Sequence, residues 1–314
     1  MKSEPIGAAP PWPWARNLLW VGLGVLWLVD GALALQPDMY MNMLDIVAMG
    51  GWGQPAWMVS LINDGLIQWL YSSHLALAAN LLLAGVQLGI GAGLLYFRHK
   101  PAGRWLLVAS LPVAALIWFF GEWAGGLFGL DVSLIAGGPG AAMLYLLIAL
   151  LLLQPAAWWQ TGAQSERLRR WLGWTWLIGA LLQCLPDLWT ARTQSLTYLG
   201  AAVLSRQSLL TAPIYAMAAL GARHPIWLNA ILVLLMAALG YLLLRRRTPW
   251  MWVLGALVAL FTWWIGENFG ALLSGASTDP NTGPVWLLLL ACAWWECRPH
   301  SAPTAAPAAA PADG

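Results

Sequence analysis

Charged side chains are scarce in this sequence: they make up 9% of its 314 residues, whereas hydrophobic residues make up 60%. Soluble globular domains carry charge on about a quarter of their residues. The composition therefore excludes an ordinary soluble domain and predicts a protein whose main partner is the lipid bilayer. The net charge of +2, without a basic cluster interleaved with aromatic residues, excludes nucleic acid as a partner.

Cysteine is also rare. The three cysteines, Cys184, Cys292 and Cys297, form no C-x-x-C pair, which argues against a disulfide framework and against a thiol redox motif. Residues 1–16 lack the short apolar core and the small-residue cleavage site of a secretory signal. The first apolar run is therefore expected to stay in the protein as a membrane anchor.

Long apolar runs are abundant. A bilayer core about 30 Å thick requires about 20 apolar residues per helix, and on this basis the chain is predicted to be an all-α integral membrane protein. The eight predicted spans are 17–36, 75–97, 105–121, 140–159, 171–186, 226–244, 250–266 and 283–297.

One segment between the first two spans has a different pattern. Residues 55–71 have polar side chains at every fourth position, which predicts an additional amphipathic helix at the outer leaflet.

Basic residues follow alternate loops. With eight spans, twelve of the 15 lysine and arginine residues lie on one side of the membrane. The positive-inside rule makes that side cytoplasmic, together with both termini. The loops 37–74, 122–139, 187–225 and 267–282 then face outward. Lysine occurs only twice, which indicates a GC-rich bacterial genome, so we predict a multi-pass protein of the bacterial inner (plasma) membrane.

Two stretches 145 residues apart share one skeleton. Residues 116–139 and 261–284 both run from an aromatic helix into Gly-Glu, a glycine-rich bend and Gly-Pro. Earlier in the chain the spacing is 149 residues and pairs Asn80 with Asn229. Each half has four spans, an even number, so the sequence predicts two parallel four-helix repeats about a pseudo-two-fold axis along the membrane normal.

This duplication predicts the organisation of the whole chain. The predicted parts are a cytoplasmic N-terminal segment (1–16), the first four-helix repeat (17–160), a cytoplasmic linker (161–170), the second four-helix repeat (171–297) and a disordered Ala/Pro-rich tail (298–314).

Ionisable and amide side chains collect at the predicted outer ends of the spans. An ionisable group at the edge of the hydrocarbon is costly unless it is paired or hydrated, and it is a functional candidate for that reason. The candidate site residues are Asp38, His74, Asn80 and Glu122 in the first half and Asp187, His224, Asn229 and Glu267 in the second.

These candidates also have structural interpretations. Glu122 and Glu267 would accept hydrogen bonds from the free amides of the glycine-rich bends, and the two histidines would begin helices at the interface. Asp38 and Asp187, which follow prolines, would cap turns. Asp30, whose counterpart in the second half is a glycine, is either an extra carboxylate of one site or a residue that reaches the outer surface.

Two family resemblances accompany these motifs. Residues 18–40, LLWVGLGVLWLVDGALALQPDMY, resemble the opening helix of DoxX-like four-helix membrane proteins, which implies a link to quinone or thiosulfate redox chemistry. The paired G-E-x-x-G and G-P motifs resemble an uncharacterised bacterial group of duplicated multi-pass membrane proteins. Neither resemblance assigns a catalytic residue.

Three functions stay open, and no reaction is identified. Outward-facing His/Glu/Asp pockets would bind a metal, a quinone or a haem, although no H-x-x-H or E-x-x-H spacing supports a metal site. Alternatively, the chain is a transporter or channel for a small solute or cation. In the third interpretation it is an accessory or assembly subunit whose tryptophan-rich surface packs on a membrane-protein partner.

Overall fold

The computed structural model describes residues 14–129, 132–155, 158–159, 163–202, 208–245 and 248–295, and the regular structure in this part of the chain is helical throughout. This confirms the all-α prediction. In chain order the α-helices are α1 (Trp14–Leu33), α2 (Pro37–Met49), α3 (Ala56–Val59), α4 (Gln68–Ser72), α5 (Ala76–Tyr96), α6 (Pro101–Leu116), α7 (Ala141–Leu152), α8 (Ala163–Leu182), α9 (Ala191–Ala202), α10 (Ser208–Arg223), α11 (Pro225–Arg245), α12 (Pro249–Phe261) and α13 (Thr282–Trp295).

Within the described residues, five helices are long and apolar enough to cross a bilayer. They are α1, α5, α11, α6 with its extension to Gly121, and α12 with its extension to Gly266. Helices α7, α10 and α13 are apolar but shorter. This set fits a multi-pass membrane protein. Each of the eight predicted spans overlaps one α-helix, and the end of the last span lies outside the described residues.

Glycines allow two helix pairs to pack closely. A Cβ atom placed on Gly91 of α5 would lie 2.7 Å from the carbonyl oxygen of Gly24 in α1. In the second half, a Cβ atom on Gly240 of α11 would lie 2.8 Å from the carbonyl oxygen of Gly173 in α8. Any larger residue would force the backbones apart, so small residues set both helix distances. Gly240 follows Gly91, and Gly173 follows Gly24, by 149 residues in the chain.

The segments between α1 and α5 and between α8 and α11 are more helical than the sequence predicted. Helix α2 begins at Pro37 and α9 at Ala191, inside stretches that were predicted as outward loops. A proline in the first turn starts a helix as readily as it makes a turn, which explains the missed α2. The predicted amphipathic helix is present as α3, a π-helix (Ser60–Ile67) and α4.

Helices α6 and α12 end in the same way. Each passes into a π-helical turn, Ile117–Gly121 after α6 and Thr262–Gly266 after α12. Glu122 and Glu267 follow these turns directly. A glycine-containing bend with positive φ angles comes next and turns the chain toward α7 or α13.

Candidate functional site

The two glutamates hydrogen-bond the first turn of the following helix. Both carboxylate oxygens of Glu122 accept from the Ala142 amide, at 3.0 and 3.2 Å. Glu267 accepts from the amide of Gly283 at 3.0 Å and from the amide and hydroxyl of Thr282. The positive end of the helix dipole favours an acceptor at this position. Each glutamate therefore caps α7 or α13 from outside that helix.

The glycine-rich bends have a different role from the one expected. In the structural interpretation of the sequence the glutamates would accept from the amides of these bends, but the amides they bind belong to α7 and α13. The bends serve close packing, since a Cβ atom on Gly125 (φ +61°) would collide with the carbonyl group of Pro139. The Gly-Pro pairs also differ, because Gly138-Pro139 precedes α7 whereas Gly283-Pro284 lies inside α13.

Burial changes the acidity of both glutamates, which lie just beyond the ends of their spans. It raises the pKa of Glu122 to about 8, and the negative charge of Asp279 adds to the shift. It likewise raises the pKa of Glu267 to about 8, although the hydrogen bonds from Thr282 and Gly283 oppose the shift. Both carboxyl groups therefore hold a proton at neutral pH when nothing positive is near.

A cavity of about 560 Å³ lies beside Glu122 in the first half. Its volume falls within the roughly 300–1,000 Å³ of small-molecule sites. Most of its wall is apolar and comes from α2, the segment 56–72, α5 and the end of α6. The apolar side chains of this wall include Met39, Met43, Leu44, Val47, Ile62, Leu66, Ile67, Leu70, Leu82, Leu83, Leu116, Ile117 and Phe120.

A cluster of polar groups lines the same cavity. Asp30 is 3% exposed and accepts from the Tyr145 hydroxyl at 3.2 Å. Asp279 comes from the loop before α13, where it accepts from the amide of Asn281 at 2.6 Å. Glu122 and the amide side chains of Asn80 and Gln87 complete the polar lining, together with Thr278.

Loops from the two halves approach each other's glutamates. Asp279, from the second half, lines the cavity beside Glu122 and also lines a smaller pocket of about 250 Å³ beside Glu267. Conversely, a Cβ atom on Gly137, from the first half, would lie 3.2 Å from Oε1 of Glu267. Each glutamate therefore has beside it a loop from the other half of the chain.

In the second half, side chains of the protein contact the residues equivalent to Asn80 and Asp30, although a separate apolar cavity of about 550 Å³ lies between α10 and α12. Asn229 is fully buried, and its oxygen accepts from the side-chain amides of Gln183 at 2.6 Å and Gln194 at 3.1 Å. Leu134 packs against Gly179, the counterpart of Asp30. Asn80 and Asn229 share one contact, since each donates to the carbonyl oxygen at the end of the preceding long helix: Ala34 at 2.9 Å and Gln183 at 3.0 Å.

The remaining predicted site residues lie outside the cavity lining. His74 and His224 are exposed just before α5 and α11, and Asp187 is exposed in a short 3-10 turn. Asp38 lies in the first turn of α2, near Gly275. The structure thus places Glu122 and Asn80 in the lining of one cavity, whereas Glu267 and Asn229 are not part of that lining.

Within the described residues, no three His, Cys, Asp or Glu side chains are grouped as a metal ion would require. The residues that sequence reasoning missed are Tyr145, Gln87 and Asp279. Asp279 had a weak signal as an acid in a predicted outward loop, and the other two lie in apolar helices without a distinctive pattern.

Comparison with models of known protein families, with curated proteins and with solved structures finds no match for this chain. The resemblance to DoxX-like proteins therefore stays a prediction.

Proposed function

We propose that this membrane protein binds an amphipathic organic molecule in the cavity beside Glu122. The observation that carries the proposal is one pocket of about 560 Å³ with an almost wholly apolar wall and a single group of converging polar side chains. Few, well-placed polar groups in an apolar pocket orient a bound molecule and give specificity. The absence of a metal-binding group among the described residues favours an organic ligand over a metal ion.

The opening of the cavity supports a ligand that arrives from the bilayer. Leu82 of α5 and Leu116 of α6 line the cavity and are 69% and 58% exposed. Both side chains lie on helices that are long and apolar enough to cross a membrane. A molecule with an apolar body could therefore enter between α5 and α6 without crossing an aqueous barrier. The quinone hypothesis belongs to this class of ligand.

We also propose the finer architecture predicted from the sequence: eight spans, two parallel repeats and cytoplasmic termini in a bacterial inner membrane. The glycine contacts of α1 with α5 and of α8 with α11 support the repeat, as do the shared contacts of Asn80 and Asn229. Labelling of single cysteines in a cysteine-free background tests the topology. Leu127→Cys and Leu273→Cys, at exposed positions, should react with an impermeant reagent from outside the cell, whereas His99→Cys should not.

A cavity-blocking variant tests the binding function. Ala79 of α5 lines the cavity, and its neighbour Ala78 is exposed and does not. Ala79→Trp should therefore abolish binding of a hydrophobic probe such as 4-phenylbutanol, measured by equilibrium dialysis against protein in phosphatidylcholine nanodiscs. The matched variant Ala78→Trp should bind normally. Equal binding by both variants would contradict the proposal.

A further inference from the structure

The polar atoms left open in the cavity are mainly hydrogen-bond acceptors. Asn80 is 1% exposed and Gln87 is 5% exposed, and among the described residues no donor reaches the side-chain oxygen of either. The amide nitrogen of Asn80 donates to the Ala34 carbonyl oxygen at 2.9 Å, which fixes the orientation of the amide group. Buried polar atoms are almost always paired. These two oxygens therefore indicate a ligand that donates hydrogen bonds.

The charge of the lining indicates the same ligand. Asp30, Glu122 and Asp279 contribute three carboxyl groups, and no lysine, arginine or histidine is found among the described residues of the wall. A carboxylate in an apolar surrounding requires either a proton or a positive partner. The carboxyl groups of the cavity would therefore either hold protons or, as carboxylates, pair with a bound cation.

One donor in the cavity has no partner, but it does not distinguish this half of the molecule. The indole N–H of Trp27 lines the cavity and is unpaired within the described residues. Trp176, 149 residues later, also has an unpaired indole N–H, where Trp286 packs against it. This feature is common to both halves, whereas the open acceptors at Asn80 and Gln87 are not.

We propose that the cavity binds a protonated amine with an apolar body, and that this amine competes with protons for the carboxyl groups of the cavity. The inference rests on the proposed binding function. On entry of R–NH₃⁺, a protonated carboxyl group releases its proton to water, and the resulting carboxylate pairs with the ammonium group. An N–H group of the ligand supplies the donor that the Asn80 oxygen lacks, and the aromatic rings of Trp27 and Phe120 line the same cavity, where a cation over a ring face gains cation–π attraction.

Several titratable groups face the part of the cavity in which the ammonium group would lie. They are Asp30 of α1, Glu122 after α6, Tyr145 of α7 and Asp279 before α13, with Glu267 acting on Glu122 electrostatically. Burial raises the pKa of Glu122 to about 8 and also raises the pKa of Asp279. Glu122 therefore has a proton to exchange at neutral pH.

Three probes of the same size and shape test the inference. They are 4-phenylbutylamine, 4-phenylbutanol and 4-phenylbutyrate, each measured by equilibrium dialysis against the full chain in phosphatidylcholine nanodiscs, with empty nanodiscs subtracted. The amine should bind most tightly. Its Kd should fall by roughly tenfold per pH unit between about pH 6 and about pH 8, because one proton leaves as one amine binds. The Kd of the alcohol should not change in this range.

Variants of the carboxyl groups test which side chains cause the preference for the amine. The triple variant Asp30→Asn/Glu122→Gln/Asp279→Asn should lose the preference for the amine over the alcohol, while continued binding of the alcohol shows that the cavity is intact. Glu267→Gln is the matched control and should keep the preference, because Glu267 is not in the cavity wall. Phosphatidylethanolamine added to the nanodiscs should displace the amine if the natural ligand is a lipid amine, and should leave it bound if the ligand is a free amine.

The outcomes separate the two proposals. If the amine and the alcohol bind equally, or if the Kd of the amine does not depend on pH, the amine inference is wrong and the binding cavity remains. If all three probes bind equally well to wild type and to Ala79→Trp, the cavity itself is not a binding site and both proposals fail.

Discussion

The two buried asparagines should differ sharply in their contribution to stability. Asn229 donates to the Gln183 carbonyl and accepts from the side-chain amides of Gln183 and Gln194. Side-chain hydrogen bonds within membrane proteins are worth about 0.6 kcal/mol each on average. Replacing Asn229 by leucine, which has a similar size, should therefore lower the free energy of unfolding by about 2 kcal/mol.

The equivalent change, Asn80→Leu, should lower the free energy of unfolding much less. Asn80 makes one good hydrogen bond, to Ala34 at 2.9 Å, and a longer one to Met39 at 3.4 Å. Its oxygen has no partner among the described residues, so Asn80→Leu removes an unsatisfied buried acceptor together with the hydrogen bonds. The two effects oppose each other, and we expect a loss of less than about 1 kcal/mol.

Both variants can be compared by titrating SDS into mixed micelles and following helix content by circular dichroism. The midpoint should shift to a clearly lower SDS fraction for Asn229→Leu and only slightly for Asn80→Leu. An equal or larger shift for Asn80→Leu would show that its oxygen has a partner, and the argument for an open acceptor would then be refuted.

Two further predictions use the same assay. Gly91→Ala should destabilise the protein by about 1–3 kcal/mol through overpacking, because the new Cβ atom would meet the Gly24 backbone. Gly85→Ala should leave stability unchanged, because a Cβ atom on Gly85 would have nothing within 4 Å. Equal effects of the two substitutions would contradict the packing argument. Since burial raises the pKa of Glu267 from 4.5 to about 8, the unfolded chain ionises first and stability should fall as pH rises through this interval. Glu267→Gln should make that fall shallower, and an unchanged profile would count against the raised pKa.

Hydrophobicity alone was enough to locate the long apolar helices. Each predicted span overlaps a helix, because a run of about 20 apolar residues has no other stable arrangement in lipid. Boundaries were less certain. Helix α7 covers Ala141–Leu152 of the predicted span 140–159, while α8 begins at Ala163, within the predicted linker 161–170.

The candidate site was only partly predictable. The two glutamates stood out because acids are rare and their motif occurs twice, but the amides they bind depend on where α7 and α13 begin. Asp279 lines a cavity whose other wall residues come almost entirely from the first half of the chain, and a comparison of each loop with its own counterpart cannot show this. The histidines were selected by residue type, and their exposure follows from the backbone path before α5 and α11.

Under the proposed duplication, comparison with the second half identifies a hydrogen-bond donor that the first half lacks. The side chain of Gln183 donates to Asn229, and its counterpart in the first half is Ala34, whose methyl group can donate nothing to Asn80. The position opposite Asp30 is Gly179, and Leu134 fills the space there. The donor that one half supplies from its own chain must reach the other from outside, so the amine nitrogen of a ligand would occupy the place that the Gln183 amide holds in the second half.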